Sequence, residues 1–175
     1  ITQGGYWDAI NRKSPKRRAA WFESYLLTIL EKDVQELMNI ERLHEIPNIL
    51  KILAARPASL MNQAELSRSL QIPVVTLKRY LILLQQIYIL VLLPSWSTNL
   101  SKRLVKSPKS HLNDTGLLCH LLFNDNAKLR MDKDLLGHVL ENFVVMEIIK
   151  QQTWSNTRFR TYHYRTESGE EIDLI

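Results

Sequence analysis

Residues 62–84 read NQAELSRSLQIPVVTLKRYLILL. Gln63–Leu70 has the length and composition of one short helix. Gln71, Ile72 and Pro73 make a tight connection. Val74–Gln86 then repeats its apolar residues at helical spacing, with Leu77, Tyr80, Leu81 and Leu84 directed inward. Two short helices joined by three residues form a helix-turn-helix. Ile87–Leu93 next changes to a β-type run that Pro94 ends. A polar loop, Ser95–Ser101, leads to a second extended stretch around Arg103–Leu112. Helix-turn-helix followed by a hairpin is the winged-helix order.

Upstream of this unit, Ile1–Asn11 reads as a connector, followed by the basic run Arg12, Lys13, Lys16, Arg17 and Arg18. Trp21, Tyr25, Thr28, Ile29 and Lys32 then recur at helical spacing, with a break expected near Asp33 and resumption to about Ile40. Another helix is expected over Leu43–Ala55, with Leu43, Ile46, Leu50 and Leu53 as its stripe and Pro57 as its stop. Downstream, Asp114 is placed to cap a helix running through Phe123, and Asp134 or a neighbour to start a longer one to about Lys150. Two strands follow, Phe159–Arg165 and Glu170 to the end, with Ser168-Gly169 as their turn. The expected fold is α+β, mostly α, in three segments: a connector and helical part over 1–61, the winged helix-turn-helix over 62–112, and an αββ unit over 113–175.

The chain has 175 residues, 45% of them apolar, which suffices for one large core or two small ones. Its charged share, 23%, excludes wholesale disorder. No apolar run approaches the roughly 18 residues of a membrane span. The single cysteine, Cys119, lies in an apolar run and reads as core, which fits a reducing, cytoplasmic setting. The net charge of +5 is unevenly placed: residues 62–109 hold seven basic side chains against Glu65 alone, a surplus of +6. Such a surplus suits a polyanion, with duplex DNA as the expected partner and a solvated basic face as the plain alternative. No GxxxxGK[ST] is present, so neither ATP binding nor hydrolysis is expected of this chain.

The order of these pieces resembles the domain of unknown function that follows the ATPase core in many prokaryotic AAA-type ATP-binding proteins. The matching residues span nearly the whole chain. They are Gly4-Gly5-Tyr6; Trp21-Phe22 with Tyr25 and Asp33; AELSRSLQIPVVTLKRYLILL; KSPKSHLNDTGL at 106–117; Gly137 with Glu141-Asn142-Phe143-Val144; and Tyr164-Arg165 with Gly169-Glu170-Glu171-Ile172-Asp173. The resemblance implies an ATPase core, with its ATP, upstream of Ile1, Gly4-Gly5-Tyr6 being that core's tail. It also implies further chain beyond Ile175. The family usually places Gly in the helix-turn-helix turn and Ser at the start of its second helix, where this chain has Gln71 and Pro73.

Two constellations carry the expected chemistry. On the helix-turn-helix, Val74, Val75, Lys78 and Arg79 would face a duplex, while Arg68, Lys102, Arg103 and Lys106 would meet phosphate. The competing reading is a protein-interaction or lid module that never touches nucleic acid. The second constellation is Glu141 with Asp173. A helix carrying Glu, then a hairpin whose second strand carries Asp, resembles the opening of a restriction-endonuclease-like core. There, two acids hold Mg²⁺ and a third strand adds an acid-x-Lys element. Glu171 and Asp173 share one face of the last strand, and Ile172 and Leu174 would fill the other. Phe143 and Val144 would help pack the helix on the sheet. The third element would lie beyond Ile175, so no lysine is expected beside the acids and no cleavage is expected of this chain. The histidines (His44, His111, His120, His138, His163) show no metal-ligand spacing.

Overall fold

The computed structural model describes the chain apart from residues 38–42, 100, 102, 104, 105, 123–128, 130 and 167, and describes only the backbone of 31–37 and 43. The helices are α1 (Trp7–Ile10), α2 (Pro15–Leu37), α3 (Ile46–Ala55), α4 (Gln63–Leu70), α5 (Val74–Gln86), α6 (Thr115–Leu122) and α7 (Lys133–Gln152). The strands are β1 (Ser59–Leu60), β2 (Leu90–Leu93), β3 (Lys109–Leu112), β4 (Tyr164–Arg165) and β5 (Glu171–Ile172). The protein is α+β and mostly helical.

The α4–α5 pair occupies the expected residues. Asn62 caps α4 by accepting from the Glu65 amide at 3.1 Å. Gln71 ends α4 in the left-handed conformation, φ +56°, the geometry that ordinarily selects glycine. Two bonds hold this turn: the Ile72 amide donates to the Ser67 carbonyl at 3.1 Å, and Ser67 Oγ donates to the Ile72 carbonyl at 2.6 Å. Pro73 precedes the first turn of α5, where its missing N–H costs nothing. Leu77, Tyr80, Leu81 and Leu84 are buried as expected, joined by Leu83.

β1, β3 and β2 form one antiparallel sheet in that order, with Ser59 opposite Ser110 and Leu90 opposite Leu112. Buried residues from α3 (Ile46, Ile49, Leu50), α5 (Leu77, Leu81, Leu84) and α6 (Leu117, Leu118) join one apolar cluster that extends from Ala9 to Val139. Cys119 is buried in it, and burial pushes its thiol up to about 11. No helix among the described residues is long and apolar enough to cross a membrane.

Several expectations need correction. The backbone of α2 runs unbroken through Asp33 to Leu37, because nothing in 31–37 breaks the hydrogen-bond ladder; Ile40 lies outside the described residues. Leu43–Glu45 is a turn of 3-10 helix ahead of α3 rather than its first α turn. β2 starts only at Leu90, because Tyr88 takes φ +57° to leave α5. Arg103 is helical, its amide bonded to the Asn99 carbonyl at 3.1 Å, and β3 begins six residues later at Lys109. The helix capped by Asp114 is described to Leu122, and Phe123 lies outside the described residues.

The opening segment is no loose connector. The Gly5 amide donates to Asp114 Oδ2 at 2.6 Å and Thr115 Oγ1 donates to the Ile1 carbonyl at 2.7 Å. Tyr6 Oη accepts from Asn113 Nδ2 at 2.9 Å and meets Tyr25 Oη at 2.8 Å. Gly4 makes this approach possible: its φ is +73°, and a Cβ there would lie 2.1 Å from Asp114 Oδ1. Asp114 still caps α6, accepting from the Leu117 amide at 2.9 Å.

Candidate functional site

The C-terminal hairpin is attached to the main sheet just past β2. The Trp96 amide donates to the His163 carbonyl at 2.6 Å, and the His163 amide donates to the Pro94 carbonyl at 3.0 Å. Tyr162 and Ile175 exchange backbone bonds at 3.0 and 2.8 Å, and β4 pairs with β5 through Tyr164 opposite Ile172 and Arg165 opposite Glu171. Gly169 turns the hairpin at φ +94°, as the Ser168-Gly169 pair predicts. Pairing begins at Tyr162 rather than at Phe159, which is exposed.

α7 reaches the sheet through a different device. Asp132, two residues before the expected Asp134, caps it by accepting from the Leu135 amide at 2.9 Å. Val139, Asn142, Val145 and Met146 form its buried face, while Val144, expected to pack, is 45% exposed and Phe143 is half-buried. The helical period decides this: Val144 lies one residue off the buried stripe. β1 begins at Ser59, opposite Ser110, so the next peptide group on that edge of β3, Leu112, lacks a partner in β1. Asn142 takes the place of one. Its Oδ1 accepts from the Leu112 amide at 3.0 Å and its Nδ2 donates to the Leu112 carbonyl at 2.9 Å. This satisfies both buried backbone groups and fixes the helix against the strand.

The result is an ion cluster centred on Lys109. Its side chain is 4% exposed, and its Nζ lies 2.6 Å from Glu141 Oε1 on α7 and 2.8 Å from Asp173 Oδ1 after β5. Glu171 meets the same nitrogen and also pairs with Arg165 at 3.3 Å. Glu141 and Asp173 therefore converge across a helix–strand contact, as expected, but around a lysine that sequence reading placed elsewhere. The lysine comes from β3, ahead of α6 and α7, not from a third strand following the hairpin. Burial opposes its charge, yet the bonds from Asp173, Glu141 and Glu171 outweigh burial and hold its pKa above the ordinary lysine value. Burial raises Glu141, and Lys109 pulls it partly back. His138 Nδ1 stands 3.9 Å from Glu141 Oε2.

Two histidines flank the cluster. His111 is fully buried on the same strand, two residues from Lys109, and neither ring nitrogen has a hydrogen-bond partner among the described residues. Its neighbour Asn142 is committed to Leu112. Burial, and next the Lys109 charge, lower His111 to about 4. His163 Nε2 meets the Ser107 carbonyl at 3.2 Å; burial again lowers its pKa. Magnesium fits this arrangement poorly. The oxygens that would bind it are engaged by an ammonium, and no group of three His, Cys, Asp or Glu side chains among the described residues could hold a metal. Ile172, expected to fill the opposite face, is 50% exposed, so that side of the two-residue strand is open to solvent.

The remaining expected contacts have different fates. Arg68, Lys78, Arg79 and Lys106 are exposed. Lys102 lies outside the described residues. Arg103 is half-buried and occupied: its guanidinium sits 3.8 Å from the Trp96 ring centre and 5.3 Å from that of Tyr162, and its Nε donates to the Ser97 carbonyl. Lys109, counted in the +6 surplus, is spent inside the protein.

Residues 1–128 match the family described as a domain of unknown function (DUF8612). The chain belongs to this family. Residues 136–175, which hold Glu141, Glu171 and Asp173, match a second domain of unknown function (DUF4143). The chain is 31% identical over 172 residues to an uncharacterized protein of Mycobacterium bovis and likewise to one of Mycobacterium tuberculosis. These alignments cover 98% of the chain but only 38% of either relative. No solved structure matches. Sequence reading missed Lys109, Asn142 and His111 as site residues. Asn142 had a signal, its helical register with Val139, Val145 and Met146. Lys109 and His111 had only the alternation of a four-residue strand.

Proposed function

We propose that this chain is an accessory, nucleic-acid-associated module of a larger AAA-type ATPase, with a winged helix as its contact surface. One observation carries the reading. α5 leads with Val74, Val75, Lys78 and Arg79 all exposed, Arg68 is exposed on α4, and the α3–β1–α4–α5–β2–β3 order with sheet order β1–β3–β2 supports reading this part as a winged helix. The ATPase partner rests on the family resemblance. Arg68, Lys78 and Arg79 would neutralise phosphate, so duplex affinity is expected to be modest and to fall steeply with salt. Fluorescence anisotropy with a duplex of about 20 base pairs, between about 50 and 200 mM salt, tests this; three phosphate contacts give a log–log slope near −3. Lys78→Glu with Arg79→Glu should abolish binding. A wild-type chain that ignores duplex DNA at low salt ends this reading.

A second reading has its own support. Val75 is 67% exposed and Ile82 49%, and with Lys78 and Arg79 they occupy one helical stripe. An apolar edge on that stripe suits a protein partner, with the module acting as a lid or docking element. A magnesium-dependent nuclease gains less support, because Lys109 holds the acids that would bind the metal.

A further inference from the structure

Residues 148–166 contain Lys150, Arg158, Arg160 and Arg165 and no Asp or Glu. The same stretch carries Trp154, Phe159, Tyr162 and Tyr164. Its middle, residues 153–160, is exposed throughout and joins α7 to the hairpin. Trp154 is 70% exposed, an unusual position for the largest apolar side chain, and Phe159 is 38% exposed between two arginines. The loop has a defined shape. The Trp154 amide donates to the Gln151 carbonyl at 3.3 Å, the Thr157 amide to Ser155 Oγ at 3.1 Å, and Gln152 Nε2 to the Phe159 carbonyl. The last bond closes the loop on itself and holds both aromatic residues within one short turn of chain.

We propose that the loop Thr153–Arg160 is a binding site for single-stranded nucleic acid, separate from the α4–α5 surface. Unpaired bases offer open π-faces to Trp154 and Phe159, whereas the faces of bases in a duplex are already stacked. Arg158 and Arg160 flank Phe159 and supply forked donors to the backbone phosphates on either side of a stacked base. Ser155, Asn156 and Thr157 between the aromatics are uncharged hydrogen-bonding groups. They suit base edges and oppose insertion into lipid, which favours nucleic acid over an anionic membrane as the occupant. The loop joins the hairpin at Tyr162, whose ring shares Arg103 with Trp96, so the site adjoins the segment that follows β2.

The inference does not depend on duplex binding by α5, and one experiment separates the two. Anisotropy of a labelled oligo(dT) of about 15 nucleotides is followed with the full chain at low salt. Wild type should bind it. Trp154→Ala with Phe159→Ala should weaken binding about tenfold or more, and Trp154→Phe should keep it within about threefold, because any aromatic face stacks. Arg158→Glu with Arg160→Glu should abolish it, while Lys78→Glu with Arg79→Glu should leave it within about twofold. All four loop positions are exposed, so thermal melting should be unchanged and reports folding directly. The proposal is overturned if oligo(dT) is not bound, if the double alanine variant binds as wild type, if the α5 variant loses it, or if phosphatidylserine vesicles bind in its place.

Discussion

Replacing Lys109 by Met removes one ammonium and keeps an unbranched stem, so it probes the ion cluster with little change in packing. Lys109 is 4% exposed and Glu141 12%. Removing one member of a buried ion pair costs about 3–5 kcal/mol, mostly through the charge left behind. Glu171 and Asp173 are 27% and 56% exposed and will rehydrate, so Glu141 is the carboxylate that is stranded. The lower end, about 3 kcal/mol at neutral pH, is therefore expected. Burial already holds Glu141 above its ordinary value, and losing Lys109 raises it further. A raised folded-state pKa contributes stability at low pH that is lost as pH rises through it, so the deficit should shrink toward about pH 5. Adding Glu141→Gln should restore part of the loss, a coupling read from a double-mutant cycle. Urea unfolding at about pH 7 and pH 5 supplies the free energies. Hydrogen exchange at the Tyr162 and Ile175 amides reports whether the hairpin opens first. A loss below about 0.5 kcal/mol, the usual effect of a surface change, or a deficit that grows in acid, refutes the reasoning.

Two further perturbations address other parts of the molecule. Gly4→Ala places a methyl 2.1 Å from Asp114 Oδ1 at φ +73°, so we expect about 2 kcal/mol of destabilisation by urea unfolding, with faster exchange at the Gly5 amide; an unchanged midpoint would show that the opening segment is not docked. His111 titrates near 6.5 when unfolded and near 4 when folded, so between these values the unfolded chain binds the extra proton and stability falls as pH falls. The loss approaches roughly 3 kcal/mol by about pH 4 and is complete in effect only below the folded value. His111→Leu should flatten that part of the stability curve, and a curve of unchanged slope would reassign the titration to another group.

The α4–α5 pair was legible because its signals are local. Pro73 at a helix start and the 77–80–81–84 spacing act within a few residues, and α4 and α5 occur where those signals put them. Asp114 as a cap and Ser168-Gly169 as a turn are equally local. The errors fall where local signals are weak or compete. Arg103 joined a strand in the sequence reading because nothing nearby forbade it, whereas the structure holds it in a helical turn under two aromatic rings. The opening segment reads as a connector, but the close approach to Asp114 requires glycine at Gly4.

Local pattern specified the α+β composition, helices α4 and α5, and the pairing of Glu141 with Asp173 as acids on a helix and a following hairpin. What stands between those acids depends on long-range packing. Lys109 lies 32 residues from Glu141 and 64 from Asp173 in the chain. A four-residue strand carries too little periodicity to say which face a lysine takes. Its side chain turns inward because Asn142 docks α7 on the open edge of β3 and the hairpin attaches beyond Pro94, closing three carboxylates around it. A buried ammonium is stable only where such partners converge, and convergence of segments so far apart in sequence is a property of the fold.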